Sequence, residues 1–153
     1  MEKDIRKIVK HYVEKYGTSD PFVLARALDI EVQYGNLGST CGLYMYLKRH
    51  KCIFLNENLE GSEKRLVMAH ELGHAIMHPR ENCYYLRNNT MLSTSKMEIE
   101  ANIFALEFLL SNKGFPEGKS YTHEQWLRLL NYYSYGIKHG ISFFLQAAAQ
   151  IPE

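Results

Sequence analysis

The chain has 153 residues, 46% hydrophobic and 23% charged, with a formal net charge of +1, which fits one globular domain over residues 1–153, long enough to bury a core. That balance gives no field for nucleic acid or an anionic membrane, and no apolar run approaches the ~18 residues of a membrane span. The charged start, Met1-Glu2-Lys3-Asp4, lacks a signal-peptide core, and three cysteines outside any Cys-x-x-Cys pattern point to free thiols in a reducing cytoplasm.

Ile5, Ile8, Val9, Tyr12, Val13 and Tyr16 recur at helical spacing, and Gly17 closes that helix. Ser19-Asp20-Pro21 starts a second helix, whose inner face is Phe22, Leu24, Ala25 and Leu28. A short helix pair can suggest a DNA-binding helix-turn-helix, but no basic recognition helix follows. Instead Ile30 to Tyr34 alternates as a strand, residues 35–39 form a turn, and Leu43–Leu47 and Cys52–Leu55 read as two more strands. Lys48-Arg49-His50-Lys51 is the polar hairpin between them, a solvated turn rather than a binding patch. These strands predict a small antiparallel sheet, one edge of which can accept an extended peptide.

His70-Glu71-Leu72-Gly73-His74 carries the chemistry. Histidines four apart on a helix share one face, so both can reach one metal ion. Glu71 is not needed as a ligand; its carboxylate can take a proton from a metal-activated water. Ser62 is a possible cap for this helix, and Pro79 stops it. Leu66, Ala69, Leu72, Gly73, Ile76 and Met77 form an apolar stripe beside the histidines. Gly73 costs roughly 1 kcal/mol relative to alanine inside a helix, which implies a packing reason.

A catalytic zinc takes a third protein ligand. His78 is roughly 12 Å from His70 along the helix, too far to share a tetrahedral ion, and reads as a helix-end residue favoured by the dipole. Cys83 is another candidate. Residues 80–95 read as an irregular, potentially functional loop. Ser95-Lys96-Met97-Glu98 matches a capping box opening a helix to about Leu110. Glu98 and Glu100 on this helix point ~200° apart, so only one can face the metal. Glu98 is preferred, because Asn102, one turn on, can then orient a ligating histidine. Glu100, and a purely capping role for Glu98, stay as alternatives. Ile99, Ile103, Leu106 and Leu110 form this helix's apolar stripe. Further helices are predicted from Thr122 to about Tyr133 and over Ile141–Ile151.

The segments from Arg65 to His78 and from Glu98 to Ala105 resemble the ImmA/IrrE family of small metallopeptidases. The Asp20-Pro21 helix, Gly42-Leu43-Tyr44 and Ile53-Phe54-Leu55-Asn56 extend the resemblance over roughly Ile5 to Leu110. The resemblance implies a zincin-like α+β fold, with the small antiparallel sheet packed on the metal-binding helix and further helices around it. It also implies a bound Zn2+ held by His70, His74 and Glu98, with Glu71 catalytic. The implied activity is that of an endopeptidase on helix-turn-helix repressors of mobile elements or stress-response genes; from the charge balance and hydropathy, no direct nucleic-acid or membrane binding is expected. One departure is Leu110-Ser111-Asn112, where the family often reads Leu-Met-Pro; it changes a helix stop, not the chemistry.

Two other functions fit the same motif. One is a non-catalytic antirepressor that binds its partner around a structural zinc. The other is a deformylase-like hydrolase, which needs Cys41, Cys52 or Cys83 as third ligand. Zinc is favoured by ligand type over manganese or iron. Tyr84, Tyr85, Tyr121 and His123 are candidates for oxyanion stabilisation.

Overall fold

The computed structural model describes residues 4–81, 83–86 and 96–111. Among these residues, four helices and four strands follow in the order α1 (Ile5–Tyr16), α2 (Pro21–Ala27), β1 (Glu31–Gly35), β2 (Thr40–Leu47), β3 (His50–Asn56), α3 (Gly61–Met77), β4 (Cys83–Leu86) and α4 (Lys96–Leu110). Both early helices start as their sequence dictates. Asp4 accepts from the Lys7 N–H at the head of α1, and Asp20 accepts from Phe22 and Val23 at the head of α2, where Pro21 has no N–H to satisfy. Gly17 caps the end of α1.

The sheet runs β1-β3-β2-β4. The β2–β3 and β2–β4 pairs are antiparallel, as expected, but β1 lies parallel to β3, so the sheet is mixed. The connection explains the difference. From Gly35 the chain passes β3's position and returns as the β2–β3 hairpin, which brings β3 alongside β1 in the same direction. Lys48 and Arg49 make the hairpin turn, both with positive φ (48° and 66°), the backbone of a two-residue turn whose twist suits the strands. Lys48, Arg49 and His50 are exposed, in keeping with a solvated turn, whereas Lys51 donates from Nζ to the Ala75 carbonyl of α3 at 2.9 Å.

Gly42, Tyr44, Ile53 and Leu55 alternate onto the sheet face that covers α3. On its other sides α3 meets α4 and α2, so every residue from 66 to 75 is buried. The predicted apolar stripe therefore underestimates this helix: it is the centre of the fold, not a surface helix. It also starts earlier than Ser62. Glu60 occupies the cap position without a side-chain bond, and Ser62 lies inside the first turn. The reason lies just before it, where Leu59 is buried in the core and its N–H bonds the Asn56 carbonyl, delivering the chain directly into the helix.

The segment 80–95, read as irregular, contains β4, which adds to the free edge of β2. The register skips between Thr40 and Gly42, a bulge at Cys41. Among the described residues no helix is long and apolar enough to cross a membrane. The Ser95 cap, the helices expected after residue 121, the candidates Tyr121 and His123, and the side chains of Cys83, Tyr84 and Tyr85 lie outside what is described.

Candidate metal centre

Helix α3 presents His70 and His74 one turn apart, 0% and 1% exposed, their rings edge to face with centroids 4.8 Å apart. Helix α4 crosses close enough to bring Glu98 between them: its Oε2 is 3.1 Å from His70 Nε2 and its Oε1 is 2.9 Å from His74 Nε2. Gly73 explains that proximity. A Cβ built on it would lie 3.1 Å from Cβ and Cδ1 of Phe104, so the bare glycine lets α4 settle against α3. This is the packing reason that an interior helix glycine implied.

The two Nε2 atoms stand 3.2 Å apart, and the three groups offer ligand atoms within 4.8 Å of one another. Ligands ~2.0–2.1 Å from a tetrahedral zinc stand ~3.3 Å from each other, so this donor set fits such an ion. Protonation also suits it. His70 turns its Nδ1 to the Asn102 side-chain oxygen at 2.7 Å, the orienting contact expected from the helical period, which leaves its Nε2 lone pair on the site. Burial lowers the His74 pKa, partly offset by its hydrogen bond to Glu98 and reinforced by neighbouring His70, which favours the neutral, ligating imidazole. Burial alone would raise the Glu98 pKa, but hydrogen bonds with His70 and His74, and their positive charge whenever they are protonated, outweigh it and hold the carboxylate well below the usual range.

Glu71 lies on the same helix beneath β2 and is 0% exposed. A Cβ on Gly42 would sit 3.2 Å from both Cγ and Oε1 of Glu71, so the strand passes directly over this carboxylate beside the Cys41 bulge. Neither Glu71 oxygen has a hydrogen-bond partner among the described residues. Burial, and then the negative charge of Glu98, push its pKa well above the ordinary carboxylate value. A buried carboxyl without a partner among the described residues, set beside such a donor cluster, is costly unless something there uses it.

Glu100, the alternative third ligand, is placed elsewhere: its Oε1 is 3.2 Å from Nε2 of His78. His78 caps α3, as its position at the helix end suggested, but it is buried, and its Nδ1 lies 3.1 Å from Nδ1 of His74. This link between the helices escaped the sequence reading; the signal for it was the i, i+4 row of His70, His74 and His78 opposite a helix rich in carboxylates. Among the described residues, neither Cys41 nor Cys52 belongs to the metal-competent group, and neither forms a disulfide.

With a histidine pair on a central helix and a small sheet along it, the fold is of the zincin-like class and carries a donor set that could hold a metal ion. The sequence profile of the IrrE N-terminal-like domain, peptidase family M78, matches residues 25–136, and the chain belongs to that family. It is 31% identical over 121 residues to the metallopeptidase ImmA of Bacillus subtilis strain 168, an overlap of 78% of this chain and 70% of that protein. It is 44% identical over 107 residues to the uncharacterized immunity region protein 2 of Bacillus phage phi105, covering 69% of this chain and 68% of the phage protein.

Proposed function

We propose that this protein is a zinc-dependent endopeptidase, a single domain over residues 1–153 acting in the cytoplasm, with His70, His74 and Glu98 as the metal ligands and Glu71 as the general base. The observation that carries the reading is the buried Glu71 carboxylate, without a partner among the described residues and in the field of Glu98. A purely structural zinc site has no use for it. When bound, zinc polarises the scissile carbonyl and lowers the pKa of the attacking water toward ~7. Glu71 receives the proton of that water and delivers it to the leaving nitrogen; a carboxyl with a raised pKa is suited to both transfers. Asn102 holds His70 in the ligating tautomer throughout.

The substrate we propose is a helix-turn-helix repressor of a mobile element. The family resemblance supports this, as does likeness to a protein named for a phage immunity region. The test is co-expression with the helix-turn-helix protein encoded beside this gene, where there is one, followed by intact mass. Fragments are expected with wild type and not with Glu71→Gln, whose cleavage rate should fall by ~10²–10⁴ while zinc content is kept. Cleavage by Glu71→Gln would remove the base from Glu71. An intact partner retained equally by both proteins would replace the peptidase with an antirepressor that acts by binding.

A further inference from the structure

The geometry points to His78 and Glu100 as positioning residues that hold the His74 ring for metal binding. This inference rests on the reading of His74 as a ligand. With Nε2 of His74 turned to the site, its proton must sit on Nδ1, and in a ring 1% exposed that N–H needs an acceptor. Nδ1 of His78, 3.1 Å away, is positioned to accept it. The His78 proton then sits on Nε2, which donates to Glu100 Oε1 at 3.2 Å. This order of donors, His74 to His78 to Glu100, leaves the His74 Nε2 lone pair on the metal site.

The pair is built into the fold rather than draped over it. His78 and Glu100 are 6% and 7% exposed. The His78 backbone N–H bonds the His74 carbonyl at 2.7 Å, so the two histidines are joined through both main chain and side chain. One residue on, the Pro79 carbonyl accepts the hydroxyl of the fully buried Tyr44, which ties the end of α3 to β2. Glu100 comes from α4, the helix that also supplies Glu98 and Asn102. Each ligating histidine is thus held at Nδ1 by α4: His70 directly by an amide, His74 through an imidazole backed by a carboxylate. Partners of this kind fix ring orientation and strengthen the ligand, and their loss costs ~10–100-fold in metal affinity or activity.

The experiment titrates the full-length apoprotein with zinc against a chromophoric chelator and records the visible spectrum of the cobalt(II) form. His78→Phe is expected to weaken zinc binding by ~10–100-fold and to alter the cobalt bands, with the apoprotein melting near wild type. Glu100→Gln, nearly the same shape, should lose about tenfold, and His78→Gln, which can still accept from His74, should recover part of the loss. Wild-type affinity and cobalt spectrum in both His78→Phe and Glu100→Gln would overturn the proposal. Should His78→Phe not fold, Glu100→Gln decides alone. His74→Ala separates the two levels of inference. Zinc retained at wild-type affinity there overturns the ligand set and this proposal together. Zinc lost there but unaffected in the His78 and Glu100 variants overturns only the positioning role.

Discussion

At Gly42, β2 crosses the metal helix without a side chain, and a Cβ added there would lie 2.8 Å from Cγ1 of Val67 as well as against Glu71. Valine in a helix is held to one rotamer, so it cannot turn aside, and the new methyl would press on the Glu71 carboxylate, the proposed general base. Gly42→Ala is therefore expected to destabilise by about 1–3 kcal/mol, and to lower kcat/KM by up to ~10²-fold because a displacement of ~1 Å at a reacting group has that effect. Urea unfolding beside cleavage kinetics measures both; Val67→Ala in the same chain should recover part of the stability, and no recovery would sink the steric account. A glycine inside a strand can announce such an approach, but the strand was expected to start only at Leu43, so the clue lay just outside it. Glu98 and Asn102 were legible because both sit on one helix, ~40° apart, where a single period decides which residues face together. The His74–His78–Glu100 chain was not, because it depends on how two helices cross, which no single period contains.

Helices α1 and α4 meet through Arg6 Nε and Glu107 Oε2, 3.9 Å apart. Glu107 is buried, and its Oε1 has no hydrogen-bond partner among the described residues. Burial raises its pKa above the ordinary 4.5; the Arg6 charge opposes that and Asp4 adds to it. The folded state therefore binds this proton more tightly than the unfolded chain. The resulting stabilisation is full below about 4.5 and is lost as pH rises through the higher folded value. Glu107→Gln should raise the thermal midpoint above that value, and the gain should shrink toward acid; a gain independent of pH would refute the assignment. The expected apolar stripe of α4 did not anticipate this carboxylate. Ile99 and Ile103 are only half-buried, while Glu100, Asn102 and Glu107 are buried, because α4 is covered by α1 on one side and by α3 on another. Element identities before residue 80 were otherwise readable from period and caps. The hairpin at 48–51 was read from its polar run, although Lys48-Arg49 fill its two-residue turn where glycine or asparagine is usual; what escaped was β4, because Cys-Tyr-Tyr-Leu has no polar alternation.

Across the whole molecule, the proposed ligands join α3 to α4, so metal occupancy and folding are linked. Zinc at a hundred times its Kd should add about 2.7 kcal/mol to stability, read as a higher melting temperature that a chelator reverses and His74→Ala abolishes. A wild-type melt indifferent to zinc would count against the ligand set. The class of fold was legible at this scale, because helix and strand periods separate cleanly along the chain; the order of strands was not, since pairing partners are chosen in space. That order, β1-β3-β2-β4, has a kinetic consequence. The β2–β3 ladder begins at Leu47 and His50, either side of a two-residue turn, whereas β1 must find β3 from Glu31 to Cys52 across the whole hairpin. Closing the short loop costs less entropy, so the hairpin should zip first and serve as the template on which β1 condenses. In pulse-labelled hydrogen exchange, amides of 43–55 are then expected to gain protection before those of 32–34. During that interval the outer edge of β3 is an open row of donors and acceptors, the point at which a newly made chain is most exposed to pairing with another copy of itself.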